Sequence, residues 1–360
     1  MENFPASSNK LQVMRARINC ISRTAQIIIF STISFVTVAQ PNSIKKDCRA
    51  GLLSIAYYVE SANNSINSLN GLLKKDNYRN KITALNNPAN SDLGFNLKAE
   101  IMSALKPILA KAKKTDHRKF TEVIDGLLNT NDETGLNVVQ KLLPASSILS
   151  TILSLVGNLV ITEKGITKGD LDQFTERMRQ FFAQYEKLNE INEQFSLEIE
   201  RLLQKTEELK DDLKEFLLDC ISTMNRNVTK ESLKEKTVEA LIQKFYDPQK
   251  IQSWLDTTAT IDLMIYPADA ATCVKFLTSS IKKLQREFEN IYGDNYRQLK
   301  ELIASLKTNI TNLDQKQLEK TNAEIERLYN DSRQADVINM NLAQVDERMN
   351  PVCKIINMGR

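Results

Sequence analysis

The 360 residues contain one histidine, His117, and it stands among Lys113, Lys114, Arg118 and Lys119 rather than beside a cysteine or a carboxylate cluster. That withholds the imidazole on which most hydrolytic triads and many zinc sites depend. The ten glycines are scattered singly, so the chain has no glycine-rich phosphate loop. The densest carboxylates, Glu207, Glu208, Asp211, Asp212 and Glu215, alternate with Lys205, Lys210 and Lys214. Spacings of three and four make that run a solvated helix flank laced with ion pairs, not an acid and base couple. These residues predict no enzyme, and no catalytic, cofactor-binding or metal-ligating side chain.

Cysteine is the remaining reactive type. Of five, Cys20 precedes the apolar run of the leader described below, leaving Cys48, Cys220, Cys273 and Cys353. An even count in an exported chain predicts disulfides, with three connectivities open. Helix order favours Cys220 with Cys273 at one end of a hairpin and Cys48 with Cys353 at the other. The alternative is four thiols buried as small apolar residues.

Export is read from residues 1–39. Arg15, Arg17 and Arg23 precede the uncharged run Ala25 to Ala39, which closes with Thr37-Val38-Ala39 before Gln40-Pro41. Charge, length and small residues at the cut predict a signal peptide cleaved near Ala39 and a secreted, periplasmic or extracellular location. A retained membrane helix is the alternative, although the run is shorter than the ~20 residues a span needs. Cleavage removes four basic residues and one acidic residue from a chain with 48 and 45, leaving 44 of each. A neutral mature chain has no general basic field, so nucleic acid is not an expected partner.

The stretch that must position everything else runs from Leu171 to Cys220. Its a positions are Leu171, Met178, Tyr185, Asn192, Ile199, Thr206, Leu213 and Cys220; its d positions are Phe174, Phe181, Leu188, Phe195, Leu202, Leu209 and Phe216. A repeat of seven keeps the apolar seam on one side only where helices supercoil. Asp170 beside Gly169 is the expected N-cap, and Asn192 either fixes register or faces a gap in the seam. Leu52, Ile55, Val59, Ala62, Ile66, Leu69 and Leu73 form a second helical seam. Asp76 to Asp92 reads as a polar loop, Leu93 to Lys114 as a helix that Pro107 kinks or interrupts. Ile261 to Tyr266 is a short apolar run that suits a strand, although the sequence offers no second strand to pair with it, and helix resumes from Pro267 with Gly293 and Asn312 as interruption points. The expected fold is all-α: an elongated helical bundle with long antiparallel coiled-coil helices. Its divisions are 1–39 signal peptide, 40–135 N-terminal helical region, 136–162 apolar segment, 163–225 long helix, 226–266 connection and 267–360 C-terminal helical region.

From Leu142 to Ile161 no residue carries a formal charge. Ile148, Leu149, Ile152, Leu153, Leu155, Val156, Leu159 and Val160 are interleaved with serines and one threonine. Twenty such residues match a bilayer's hydrocarbon thickness if helical, and equally suit the buried centre of a bundle. In layout, with a signal peptide, long helices and an uncharged apolar insertion, the chain is similar to helical pore-forming toxins of the cytolysin A and haemolysin BL kind. The likeness is one of arrangement, without a diagnostic motif. Two functions are therefore expected. One is a non-enzymatic exported protein acting through coiled-coil contact with itself or another protein. The other is a membrane-active protein that inserts residues 142–161 into a lipid bilayer.

Overall fold

The computed structural model describes residues 41–111, 166–225, 227–258 and 260–334, with positions 118, 122, 151, 152 and 154. The signal peptide, His117, Cys353 and most of the 142–161 segment lie outside the described residues. Those described form an all-α structure: α1 (Pro41–Lys75), α2 (Asn77–Leu85), α3 (Leu97–Leu109), α4 (Lys168–Met224), α5 (Lys230–Leu233), α6 (Val238–Phe245), α7 (Pro248–Thr257), α8 (Thr260–Asn309) and α9 (Gln315–Gln334).

Helix α4 is 57 residues long, roughly 85 Å at 1.5 Å per residue. Its N-cap is Thr167, not Asp170. The Thr167 hydroxyl accepts the Asp170 N–H at 3.3 Å and the Asp170 carboxylate accepts the Thr167 N–H at 2.8 Å. That is a capping box, in which Asp170 serves as the third helical residue returning the bond. All fourteen seam positions from Phe174 to Cys220 are buried, and Leu171 is half-buried.

The seam is covered by the chain itself. Lys205 pairs with Glu287 at 2.6 Å and Ser305 donates to Gln184 at 3.0 Å, so α4 and α8 run in opposite directions. Asn70 donates to Glu207, and Asn86 to Asn189 at 2.9 Å, which sets α1 and α2 against α4 as well. Helices α1 and α8 then run the same way, with Tyr58 donating to the Val274 carbonyl and Tyr292 to Asp76. The first half of α4 also carries α3, through Arg177 to Ser103 and through Phe95 against Phe181 at 5.3 Å between ring centres. Helix α9 folds back along α8, with Tyr296 and Tyr329 stacked at 4.2 Å. Leu233, Val238, Leu241, Ile251 and Leu255 bury α5 to α7 around the opposite end, and Trp254 packs there against the core.

Four local readings change. Asp76 to Asp92 contains α2, because Tyr78, Ile82 and Leu85 recur at helical spacing and are buried. Helix α3 passes Pro107 and ends two residues later, in its last turn, where little helix remains to be broken. Ile261 to Tyr266 is helix, not strand; α8 begins at Thr260 and continues through Pro267, since a run this short, Ile261 and then Leu263 to Tyr266 around Asp262, carries no period to separate the two. It also continues through Gly293, where an added Cβ would meet only the Tyr329 hydroxyl at 3.7 Å. The break comes at Asn312, whose φ of 66° turns the chain into α9.

That turn is docked on the segment between α2 and α3. The Gly94 carbonyl accepts the Asp314 N–H at 2.8 Å. Gly94 has φ of 79°, and a Cβ there would lie 2.7 Å from the Asp314 carbonyl oxygen. Nearby, Lys81 bridges Asp92 at 2.8 Å and Glu324 at 2.7 Å. Burial presses the Lys81 ammonium down and the Asp92 carboxyl up, but their hydrogen bonds outweigh it, leaving Lys81 raised and Asp92 lowered.

Candidate functional site

The most elaborate polar constellation is one that sequence reading missed. Asp76 is 3% exposed, at the joint between α1 and α2. One carboxylate oxygen accepts the Tyr78 N–H at 3.1 Å and the Ser332 hydroxyl at 2.8 Å. The other accepts the Arg79 N–H at 3.2 Å and the Tyr292 hydroxyl at 2.7 Å. A single carboxylate thus caps α2 and ties it to α8 and α9. Around it, Tyr78 lies against Phe195, Tyr292 and Tyr329, with ring centres 5.6 to 6.0 Å apart, and Phe288 lies 4.4 Å from Tyr292. The Tyr78 hydroxyl donates to Asn295 at 2.8 Å. Burial, then the Asp76 charge, keeps the Tyr292 phenol protonated far above its usual range; burial, then Tyr329 and Asp76, does the same for Tyr78. The signal was an Asp preceding apolar residues at helical spacing, masked by the surrounding Asn, Lys and Arg.

This joint ties three helices together. Its hydroxyls donate inward and its carboxylate is fully occupied. About two to three turns nearer the start of α4, Tyr185 donates to the Asn86 carbonyl and Asn86 to Asn189. Asn192 is buried beside them, yet its Oδ1 accepts no hydrogen bond. The interhelical amide pair at this level is therefore Asn86 with Asn189, not one made by the Asn192 carbonyl that the heptad reading singled out.

The predicted residues fall as follows. Of Ile148, Leu149, Ile152, Leu153, Leu155, Val156, Leu159 and Val160, only Ile152 is described. It is fully buried in the core, while its helical neighbours Thr151 and Ser154 are exposed. Among the described residues no helix is long and apolar enough to cross a membrane. No disulfide joins Cys48, Cys220 and Cys273 to one another. Cys48 and Cys220 pack in the core as small apolar residues, and Cys273 is half-buried against it. Pairing of Cys48 with Cys353 falls outside the described residues.

The carboxylate run on α4 is exposed, and its members face other elements as single ion pairs: Glu207 with Lys74 at 3.8 Å, Glu215 with Lys230 at 3.6 Å. Desolvation along the flank, then Asp211, Glu208 and Glu215, push the Asp212 carboxyl up. No group of three His, Cys, Asp or Glu among the described residues is placed to hold a metal ion. Among the described residues the surface carries shallow depressions. One of about 460 Å³ lies between Arg49 and the face of α7, and one of about 370 Å³ lies on α4 around Leu197. Leu197 is 48% exposed and is surrounded by Glu190, Glu193, Gln194, Glu198 and Arg201. No known family model, curated protein or solved structure matches the chain.

Proposed function

We propose that this is an exported, non-enzymatic protein built as an elongated antiparallel coiled-coil bundle, and that it acts by presenting its outer helix faces to another protein. The observation that carries this reading is the burial of all fourteen seam positions from Phe174 to Cys220 by the chain's own helices. The seam is used up in making a stiff support. Contact with a partner therefore belongs to the outside of α4, where Leu197 stands exposed among carboxylates and Arg201. Engagement of the less exposed carboxylates supports a non-enzymatic role: Asp76 and Asp247 cap helices, Asp170 completes the Thr167 capping box and Asp92 holds Lys81. A photo-crosslinking residue at position 197, compared with one at exposed Gln204, tests it in the native compartment. A discrete adduct specific to position 197 is expected. Equal labelling at both positions would defeat the reading.

A second reading is favoured by a specific observation at Ile152. On a helical wheel at 100° per residue, Ile148, Leu149, Leu155, Val156 and Leu159 fall within about 60° of Ile152, Val160 and Leu153 border that side at about 80° and 100°, and Ser147, Ser150, Thr151, Ser154 and Asn158 fall on the other side. The buried Ile152 between exposed Thr151 and Ser154 agrees with that division. Such a segment is amphipathic without being charged. Its apolar side would pack on the bundle in water and face lipid in a bilayer, where a row of hydroxyls would line a polar path. Liposome leakage by the protein, abolished by Ile152→Asp with Val156→Asp in a variant that still folds, is the expected result. Undiminished leakage, or none from the parent protein, would exclude it.

A further inference from the structure

Three helices meet at the end of the bundle that α5 to α7 cover, and the contacts between them fix which residues stand level. Lys205 on α4 and Glu287 on α8 are level with each other, joined by one ion pair. Because these helices are antiparallel, the stretch of α4 from Lys205 on to Cys220 runs alongside the stretch of α8 from Glu287 back to Cys273, and the two differ in length by a single residue. Helix α1 gives the same answer independently. Glu207 is level with its partner Asn70, and the stretch from Glu207 on to Cys220 is as long as the stretch of α1 from Asn70 back to Tyr57. Cys273 immediately precedes Val274, whose carbonyl takes the Tyr58 hydroxyl, so it too stands level with Tyr57. These two rulers place the cysteines within about one residue's rise, 1.5 Å, of each other along the bundle, and the Ser305–Gln184 contact places them within four residues, about 6 Å. Cys48 stands more than two helical turns beyond Tyr57, about 13 Å further along, where a disulfide spans a Cα separation of at most roughly 7 Å.

We propose that Cys220 and Cys273 form a reversible redox clasp between α4 and α8. The two are unlike in access: Cys220 is buried in the seam and Cys273 is half-buried at its edge. Their order of reaction follows. The Cys273 thiolate attacks a small-molecule disulfide such as oxidised glutathione, forming a mixed disulfide and expelling one small thiolate. The Cys220 thiolate then attacks the Cys273 sulfur, making the intramolecular bond and expelling the second small thiolate. Two electrons pass to the small disulfide, and the two cysteine protons leave with its thiols. Closed, the clasp fixes the relative height of α4 and α8 and encloses the whole α5 to α7 connection. It depends on the fold alone and not on export or on either proposed function.

The full chain, incubated with oxidised glutathione, quenched with an alkylating agent and mapped as nonreduced peptides, tests the clasp. A Cys220–Cys273 crosslink that disappears on adding dithiothreitol is expected, with the melting temperature of the oxidised form higher by about 5 °C. The variants give the order of attack: Cys220→Ala retains a glutathione adduct on Cys273, whereas Cys273→Ala leaves Cys220 unmodified under native conditions. A crosslink from Cys220 or Cys273 to Cys48, or alkylation of both residues after oxidation of the unmutated chain, would overturn the proposal without any variant having to fold.

Discussion

Replacing Asp76 probes the joint that holds three helices together. Each carboxylate oxygen holds one backbone N–H of α2 and one hydroxyl from a distant helix. In Asp76→Ala the cap is lost, worth about 1 kcal/mol, and the Tyr292 and Ser332 hydroxyls lose their buried acceptor at about 1–2 kcal/mol each. The expected cost is roughly 3–5 kcal/mol. Asp76→Asn keeps one oxygen and its two bonds, but turns an amide nitrogen toward a backbone N–H and a hydroxyl. Only the hydroxyl is able to turn round and accept, so about 2 kcal/mol is expected. Tyr292→Phe removes one donor and leaves Asp76 with three, at about 1 kcal/mol. Urea unfolding at neutral pH, followed by helix circular dichroism, measures all three. An alanine variant within about 0.5 kcal/mol of the parent, or an asparagine variant as damaging as the alanine one, would refute the account of Asp76 as a buried hub.

Gly94→Ala should cost about 2–3 kcal/mol, because it forces a left-handed residue to carry a Cβ and drives that Cβ against the Asp314 carbonyl oxygen; thermal denaturation checks it, and a neutral result would mean the dock is not held in solution. Leu188→Ala empties a fully buried seam position and should lower stability by about 2–5 kcal/mol, whereas Leu197→Ala on the exposed side should change it by less than about 0.5 kcal/mol, a contrast readable in chemical denaturation. The Lys111 hydrogen bond, then the Thr167 backbone and hydroxyl, hold the Asp170 carboxyl down to about 2 from the usual 3.8. A lowered carboxylate stabilises the fold in full above 3.8 and loses that contribution as pH falls through about 2. Carbon NMR titration of Asp170 should therefore find its midpoint near 2, and a midpoint near 3.8 would show that Lys111, in the turn after α3, does not grip the start of α4.

The long helix was legible because its information is periodic. Every a and d residue from Phe174 to Cys220 reports the same side, so an error at one position is corrected by the others. Short elements have no such redundancy. Helix α2 depends on Tyr78, Ile82 and Leu85 alone, set among polar residues that also suit a loop. Glycine misled where it sits in a well-packed helix: Gly293 lies between buried Tyr292 and Asn295, and packing outweighs the roughly 1 kcal/mol a mid-helix glycine costs. Asn312, by contrast, was readable because asparagine is among the few side chains that tolerate φ near 66°. The Asp76 joint was invisible for another reason. Its partners are 216 and 256 residues away, and nothing local in the sequence records that Tyr292 and Ser332 will meet it.

That distance bears on how the molecule is made. A chain leaving the ribosome has synthesised the first two helices long before Ser332 exists, so the buried carboxylate lacks the last of its four donors until nearly the last turn of α9 has been added. Assembly of the N-terminal third must therefore remain provisional throughout translation, and a product truncated short of Ser332 would display an aromatic cleft with its keystone charge uncovered, a natural target for chaperones and proteases.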